Sequence, residues 1–164
     1  MAEYSLQQFR FLVVDDNPHM LRMVAEVLRA FGAGQVMTAA NGKAAVEVLH
    51  RLPVDIMICD YRMLPMNGIE LVNYVRTAPD SPNPFLGIIM LTGHTDMAKI
   101  MAARDCGINE IVAKPFAPET LRERIVSIIE NPRDFVMAKK YIGPNRRRRR
   151  NDDLAPGERR RAAP

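Results

Sequence analysis

Apolar runs alternate with segments of helical periodicity along the first 130 residues. The apolar runs predict strands at residues 9–14, 35–39, 54–59, 86–91 and 110–113. After each of them, apolar positions recur every three to four residues, which predicts helices beginning near Pro18, Gly42, Gly68, Asp96 and Pro118. Continuous apolar strands are typical of sheets covered on both faces. The pattern therefore predicts an α/β fold, a doubly wound five-stranded parallel sheet of the form (βα)5.

Polar residues stand where four of these apolar runs end. Asp15 and Asp16 follow the first run, Asp60 the third, Thr92 the fourth, and Lys114 the fifth. The carboxyl ends of parallel strands meet at one edge of the sheet, where open α/β folds bind ligands, so we expect one shared crevice. Three carboxylates, a hydroxyl and an ammonium suit a divalent cation together with a phosphoryl group.

The oxygen ligands favour Mg²⁺, which takes one or two carboxylates and keeps several waters. We expect Asp16 and Asp60 to bind it directly, Asp15 through water, and the backbone carbonyl of Arg62 to add a further oxygen. One carboxylate can attack phosphorus and form an aspartyl phosphate. Taken singly, each of these residues has an ordinary structural explanation, such as a helix cap; their recurrence at successive strand ends favours the functional one.

Length and composition set limits on the class of protein. The 164 residues suffice for one domain with an extension, and no apolar stretch is long enough to span a bilayer. The first ten residues lack the pattern of a signal peptide, so we expect a soluble, cytoplasmic protein. Cys59 and Cys106 have no CxxC spacing and are expected to be buried, reduced thiols.

Charge divides the chain into two parts. Residues 133–164 hold eleven basic and four acidic side chains, whereas residues 1–132 hold twelve basic and fifteen acidic ones. We therefore divide the chain into a domain at 8–131 and an arginine-rich, flexible tail at 132–164. A basic tail on a slightly acidic body suggests an anionic partner.

The segments VVDDNP, ICDYRMLPMNG, MLTG and AKPF make residues 8–130 resemble the receiver domains of two-component response regulators, the CheY-like fold, which is flavodoxin-like. The resemblance implies that a sensor histidine kinase or a phosphotransfer protein donates a phosphoryl group to Asp60. It implies that Thr92 then moves toward the phosphate, that Lys114 pairs with it, and that the fourth helix and fifth strand signal to a protein partner. Such a domain is a signalling switch that catalyses only its own phosphorylation and dephosphorylation, not a turnover enzyme.

Four positions depart from the family pattern. Leu64 precedes Pro65, where the family often has the proline one residue earlier. Arg62 either steers phosphate and slows attack by water or is a solvated arginine. His94 either modulates the lifetime of the phosphate or is an exposed spectator. Ile111 replaces an aromatic switch residue, so output relies on helix and loop shifts or on another device.

The tail has three interpretations. Its segment YIGPNRRRR resembles the arginine-rich extension of the Cle-type cyclic di-GMP effectors, in which the receiver engages the flagellar motor. That resemblance implies a cyclic di-GMP site formed by Tyr141, Arg146, Arg147, Arg148 and Arg149, with a role in chemotaxis or motility and the flagellar motor switch as partner. A solubilising tail is the second interpretation, and nonspecific binding of polyanions is the third. Nucleic acid is disfavoured because one aromatic residue is too few for a stacking platform.

Overall fold

The computed structural model describes residues 5–102, 106–138 and 141–145. All five predicted strands are present, with each end within two residues of the predicted one. They are β1 Arg10–Val14, β2 Gln35–Ala39, β3 Ile56–Asp60, β4 Gly87–Gly93 and β5 Glu110–Lys114. A short 3₁₀ turn, Leu6–Gln8, precedes β1.

The five predicted helices are also present, as α1 Pro18–Ala30, α2 Gly42–Arg51, α3 Gly68–Thr77, α4 Met97–Ala102 and α5 Pro118–Glu130. Asn17, Asn41 and Asn67 cap α1, α2 and α3, because each side-chain oxygen accepts a backbone N–H of the first turn. A 3₁₀ turn, His94–Asp96, leads into α4. The sequence predicts that α4 ends near Cys106. Residues 103–105 lie outside the described part of the chain, so this predicted end is not tested.

The strands form one parallel sheet in the order β2-β1-β3-β4-β5. The order reverses at β1 and β3, so their carboxyl ends flank the switch point of a doubly wound fold. The register places Asp60 beside Leu91, and Gly93 beside Lys114. The predicted fold class is confirmed.

Successive residues of the strands enter two separate cores, one on each face of the sheet. Leu12, Met57 and Met90 pack on one side, against α2, α3 and α4. Phe11, Ile58 and other residues pack on the opposite side, against α1 and α5. Burial on both faces explains why the strands read as continuous apolar runs. Cys59 is fully buried, which raises the pKa of its thiol, and Cys106 is partly buried; the two are not joined by a disulfide.

A β-hairpin follows α5 in the first part of the predicted tail. Strands β6, Phe135–Ala138, and β7, Tyr141–Pro144, pair antiparallel. The hydrophobic pattern predicts no element in these residues. The arginines predicted to bind a ligand, Arg146–Arg149, lie outside the described residues. None of the helices in the described ranges is long and apolar enough to cross a membrane.

Candidate functional site

Three carboxylates meet at the carboxyl edge of the sheet. Asp15 and Asp16 follow β1, and Asp60 is the last residue of β3. One oxygen from each carboxylate lies within 4.8 Å of the other two. Asp15 and Asp60 are buried whereas Asp16 is exposed, so the cluster opens toward solvent on one side.

Lys114 brings a positive charge into the same crevice. Its Nζ lies 2.5 Å from Oδ1 of Asp60, and the lysine side chain keeps 26% of its surface exposed against 7% for the aspartate. The lysine ends β5, two strands away from Asp60, so the parallel sheet makes the contact possible. The ammonium offsets part of the repulsion among the three carboxylates.

Asp15 carries an incompletely satisfied charge. Its Oδ1 accepts the backbone N–H of Asn17 at 2.8 Å, but its buried Oδ2 has no hydrogen-bond partner among the described residues. Burial raises the pKa of Asp15, and the negative charges of Asp60 and Asp16 raise it further, although the Asn17 N–H opposes the shift. A bound cation would oppose this shift, and a water of its shell would give the unpaired oxygen a partner.

The donor set fits the metal that the fold implies. Receiver domains bind Mg²⁺ at an acidic pocket, and this cluster offers only carboxylate oxygens, the ligands that hard cations prefer. No histidine or thiolate among the described residues joins the cluster, which disfavours softer metals. The backbone carbonyl of Arg62, the remaining predicted ligand, lies two residues beyond Asp60 in the loop between β3 and α3.

Thr92 lies on the neighbouring strand, and its side chain is buried. Its hydroxyl donates to the backbone oxygen of Gly93 at 3.2 Å. The hydroxyl, one residue before the end of β4, is therefore held by a weak local bond. Because that bond is long for an O–H donor, the hydroxyl can turn to a better acceptor at small cost.

The loop after Asp60 is packed tightly against α3. The backbone N–H of Gly68 donates to the carbonyl of Tyr61 at 2.9 Å. A Cβ on Gly68 would lie 2.5 Å from the carbonyl oxygen of Asp60 and would collide with it. A glycine is therefore required at position 68, because the backbone of Asp60 approaches it closely. The sequence pattern does not reveal this reason.

Arg62 forms an ion pair that the sequence pattern does not predict. Its Nε and one terminal nitrogen donate to the two oxygens of Asp96 at 2.5 and 3.0 Å. The Arg62 side chain is 70% exposed, whereas the Asp96 side chain is only 4% exposed. Arg62 holds the pKa of Asp96 below its usual range. The bidentate pair joins the loop after Asp60 to the turn after Thr92. In the sequence, Asp96 reads only as the start of α4.

A pocket of about 420 Å³ adjoins the acidic cluster. Asp16, Arg62, Asp96 and Lys99 line it together with apolar residues of the β3–α3 loop, among them the highly exposed Leu64. The pocket brings the exposed cluster residue Asp16 together with two cations, Arg62 and Lys99.

Of the remaining residues singled out in the sequence, Ile111 packs partly buried in β5 against the core, and Tyr141 lies in β7. The Tyr141 hydroxyl donates to the backbone oxygen of Pro144 at 2.7 Å, within the hairpin. The structure does not describe the side chain of His94, nor residues 146–149.

Comparison with known proteins agrees with this geometry. The model of the "Response regulator receiver domain" family matches residues 11–126. The chain is 34% identical over 121 residues to the chemotaxis protein CheY1 of Helicobacter pylori, covering 73% of this chain and 96% of that protein. It is 33% identical to the chemotaxis protein CheY of Pseudomonas aeruginosa, covering 74% and 96%.

A solved structure leads to the same family. The chemotaxis protein CheY4 of Vibrio cholerae superposes with a TM-score of 0.66 at 33% identity, covering 73% of this chain and 98% of that one. The hairpin lies beyond the matched residues 11–126. The receiver domain implies a two-component system, with a histidine kinase or phosphotransfer protein as partner. The chain belongs to the response regulator receiver domain family.

Proposed function

We propose that this protein is a phosphorylation-controlled switch in which Asp60 accepts a phosphoryl group from a sensor histidine kinase or a phosphotransfer protein. The observation that carries the proposal is the contact of Lys114 Nζ with Asp60 Oδ1, 2.5 Å, inside a cluster of three carboxylates whose oxygens lie within 4.8 Å. The Asp60 carboxylate is buried enough to be shielded yet open on the side of Asp16.

In the proposed reaction, a carboxylate oxygen of Asp60 attacks phosphorus while the bond between phosphorus and the donor's nitrogen breaks, and the electron pair of that bond returns to the nitrogen. Lys114 exchanges its contact with the free carboxylate for one with a phosphoryl oxygen. Asp16 and Asp60 would hold Mg²⁺ directly, Asp15 through water, and the Arg62 carbonyl would complete the set. The metal, when bound, supplies positive charge to the phosphoryl oxygens.

Thr92 would pass the signal on. Its hydroxyl exchanges the 3.2 Å bond to Gly93 for a stronger, charge-assisted bond to a phosphoryl oxygen. That movement pulls the turn that contains Asp96. Through the Arg62–Asp96 ion pair, it also pulls Arg62. Since Ile111 offers no aromatic switch, output proceeds through the loop and α4, toward a protein partner in the cytoplasm. The names of the relatives favour a chemotaxis partner such as the flagellar motor switch.

Phosphorylation by acetyl phosphate with Mg²⁺, followed by intact-protein mass spectrometry, tests the proposal. The unaltered chain should gain one phosphoryl group, and chelation of the metal should prevent the gain. Asp60→Asn should not react. Asp80→Asn, which changes an exposed aspartate on the α3–β4 loop, should react normally. Unchanged phosphorylation of Asp60→Asn would show that another residue is the acceptor.

A second candidate function is binding of cyclic di-GMP by the tail. The hairpin supports it, because β7 contains Tyr141 and ends at Pro144, with only Asn145 between it and the arginine run in the sequence. Arginine binds phosphate bidentately, pairs with the O6 and N7 of guanine, and stacks on planar rings. Tyr141 and Arg146–Arg149 would be the ligands.

Calorimetry on the full chain at two salt concentrations tests this candidate. Binding of cyclic di-GMP that survives added salt, exceeds that of GTP and is lost in the double variant Arg147→Ala, Arg148→Ala would support it. Binding that GTP matches and salt removes would identify a generic polyanion-binding tail. The double variant should still accept a phosphoryl group at Asp60, which separates the two functions.

A further inference from the structure

Helix α4 is connected to a different part of the molecule at each end. At the carboxyl edge of the sheet, the turn before α4 contains Asp96, which is paired with Arg62. At the amino edge, residues 107–109 form the loop that leads into β5. Ile100 of α4 and Ile108 of this loop lie in the same buried core cluster. Because that cluster is closely packed, a displacement of α4 is passed on to the loop.

The loop at residues 107–109 is bonded to α3 and to β4. Arg76, in the last turn of α3, donates to the carbonyl oxygen of Gly107 through two nitrogens, at 2.8 and 3.0 Å. The backbone N–H of Asn109 donates to the carbonyl oxygen of Ile88 at 3.0 Å, and its side-chain oxygen accepts the Ile88 N–H at 2.9 Å. The receiver domain therefore holds this loop from two sides.

The hairpin covers the same loop from a third side. A Cβ on Gly107 would lie only 2.7 Å from the carbonyl oxygen of Ile142 in β7, so the two backbones are in direct contact. The ring of Phe135 in β6 lies over the guanidinium of Arg76, with 5.0 Å between the guanidinium carbon and the ring centroid. The hairpin thus contacts both the loop and the arginine that holds it. It lies beyond the residues that the family model matches, so this third contact is separate from the family's own fold.

We propose that the hairpin is an autoinhibitory clamp, which holds the loop before β5 in its unphosphorylated position and which phosphorylation of Asp60 loosens. The inference rests on the proposed function and adds a means of regulating its site. Thr92 and the turn after it are drawn toward the phosphate at the carboxyl edge. Since β4 and β5 are parallel, α4 returns from that edge to the amino edge. A pull on the first turn of α4 therefore draws Gly107 away from β7.

Coupling of this kind is reciprocal. If the phosphorylated arrangement weakens the contact between Gly107 and β7, a weaker contact must in turn favour that arrangement. The clamp therefore lowers the population of the arrangement in which the Thr92 hydroxyl is placed to bind the phosphoryl group. Loosening the hairpin should make phosphorylation of Asp60 easier, even though the hairpin and Asp60 lie at opposite ends of the sheet.

Hydrogen exchange of the full chain, with and without acetyl phosphate and Mg²⁺, tests the first half of the inference. Once intact-protein mass spectrometry shows a phosphoryl group, exchange should quicken at residues 135–138 and 141–143. Exchange in α2, which makes no part of the clamp, should stay the same and serves as the internal control. Asp60→Asn under the same conditions should show no change at the hairpin.

The rate of phosphorylation by acetyl phosphate tests the second half. Gly143→Ala, which separates β7 from the loop, should gain the phosphoryl group ~5-fold faster than the unaltered chain, at the lower end of the coupling usual between linked sites. Met137→Ala, at an exposed position of the same hairpin, is the matched control and should react at the unaltered rate. Thermal unfolding shows that each variant is folded at the temperature of the assay.

The outcomes separate this inference from the proposed function. If the unaltered chain gains no phosphoryl group at Asp60, both fail. If it gains one while exchange at the hairpin is unchanged or slower, only the clamp is overturned, and this result requires no variant. Equal rates for Gly143→Ala and Met137→Ala would likewise overturn the clamp and leave Asp60 as the acceptor.

Discussion

Arg76 is a buried cation held entirely by neutral acceptors. Its guanidinium donates to the backbone oxygens of Gly107 and Pro84 and to the side-chain oxygen of Asn109, at 2.6–3.0 Å. Desolvation lowers the pKa of Arg76 to about 10. The structure assigns it no salt bridge to a carboxylate among the described residues. The hydrogen bonds and the ring of Phe135 together make this burial tolerable.

Replacing Arg76 by methionine should be strongly destabilising. The aliphatic stem is conserved, but several buried acceptors lose their donors, which costs on the order of 3 kcal/mol. Urea unfolding followed by circular dichroism measures the loss. Arg51→Met, at an exposed position at the end of α2, should have little effect. Equal stability of the two variants would mean that the Arg76 contacts contribute nothing beyond solvation.

The Arg62–Asp96 pair makes a prediction about pH. Arg62 lowers the pKa of Asp96, so the pair stabilises the folded state above the carboxyl's unfolded pKa and loses that contribution as pH falls through the lower folded value. NMR titration should find the pKa of Asp96 below that of an ordinary aspartate and should find it closer to ordinary in Arg62→Met. The stability difference between the unaltered chain and the variant should shrink in acid. A pKa that does not move would show that the pair does not persist in solution.

At the scale of elements, the hairpin is seated through backbone contact rather than through large side chains alone. Gly107, in the loop before β5, has a φ of +98°, a conformation that favours glycine. A Cβ on Gly143 of β7 would lie 2.6 Å from the Cα of Gly107. The two glycines thus let strand β7 and the loop before β5 approach directly.

Gly143→Ala should therefore loosen the hairpin. The added methyl group meets backbone that cannot move aside easily, so β7 must separate from the loop at Gly107. Hydrogen exchange should quicken at residues 106–109 and 135–138, and the thermal midpoint should fall. Met137→Ala, at a site that is 69% exposed on β6, is the control and should leave exchange near Gly107 unchanged. Identical exchange in the two variants would contradict the close packing.

The elements differ in how far the sequence predicts them. Strands β1 to β5 are predicted well because burial on both faces makes them uniformly apolar, and the asparagine caps mark where α1, α2 and α3 begin. The hairpin is not predicted by the sequence pattern, because β7 reads YIGP and glycine and proline are poor strand formers. Its contacts are long-range, such as Phe85 with Phe135, and local pattern does not encode them.

The same distinction holds for the site. The crevice follows from topology, because residues at the ends of parallel strands must share one edge. The Arg62–Asp96 pair joins residues 34 apart, and neither charge differs from a surface charge in the sequence. The burial of Arg76 could have been found in the sequence, because Arg76 shares the buried face of α3 with Leu71, Val72 and Val75.

In the whole molecule, the acidic cluster and the hairpin lie at opposite ends of the same strands. The acidic cluster stands at the carboxyl ends, where β4 carries Thr92 and β5 carries Lys114. The hairpin lies at the amino ends of β4 and β5, beside a cavity of about 290 Å³ that Glu110 and Phe135 help to line. The acidic cluster and the base of the positively charged segment are therefore separated in space as well as in sequence.

Two truncations distinguish what the hairpin contributes from what the arginine run contributes. A chain ending at Asn145 keeps Phe135 over Arg76 and should unfold at the same temperature as the full protein. A chain ending at Asn131 removes that cover, exposes the Arg76 guanidinium and the Phe85 ring, and should unfold several degrees lower, since about 1 kcal/mol shifts the midpoint of a domain this size by ~2–4 °C or more. Both should accept a phosphoryl group at Asp60, because the acidic cluster lies at the opposite end of the sheet.

Equal midpoints for the two truncations would show that the hairpin adds no stability. A midpoint that falls already on removal of residues 146–164 would place the stabilising contacts in the arginine run instead.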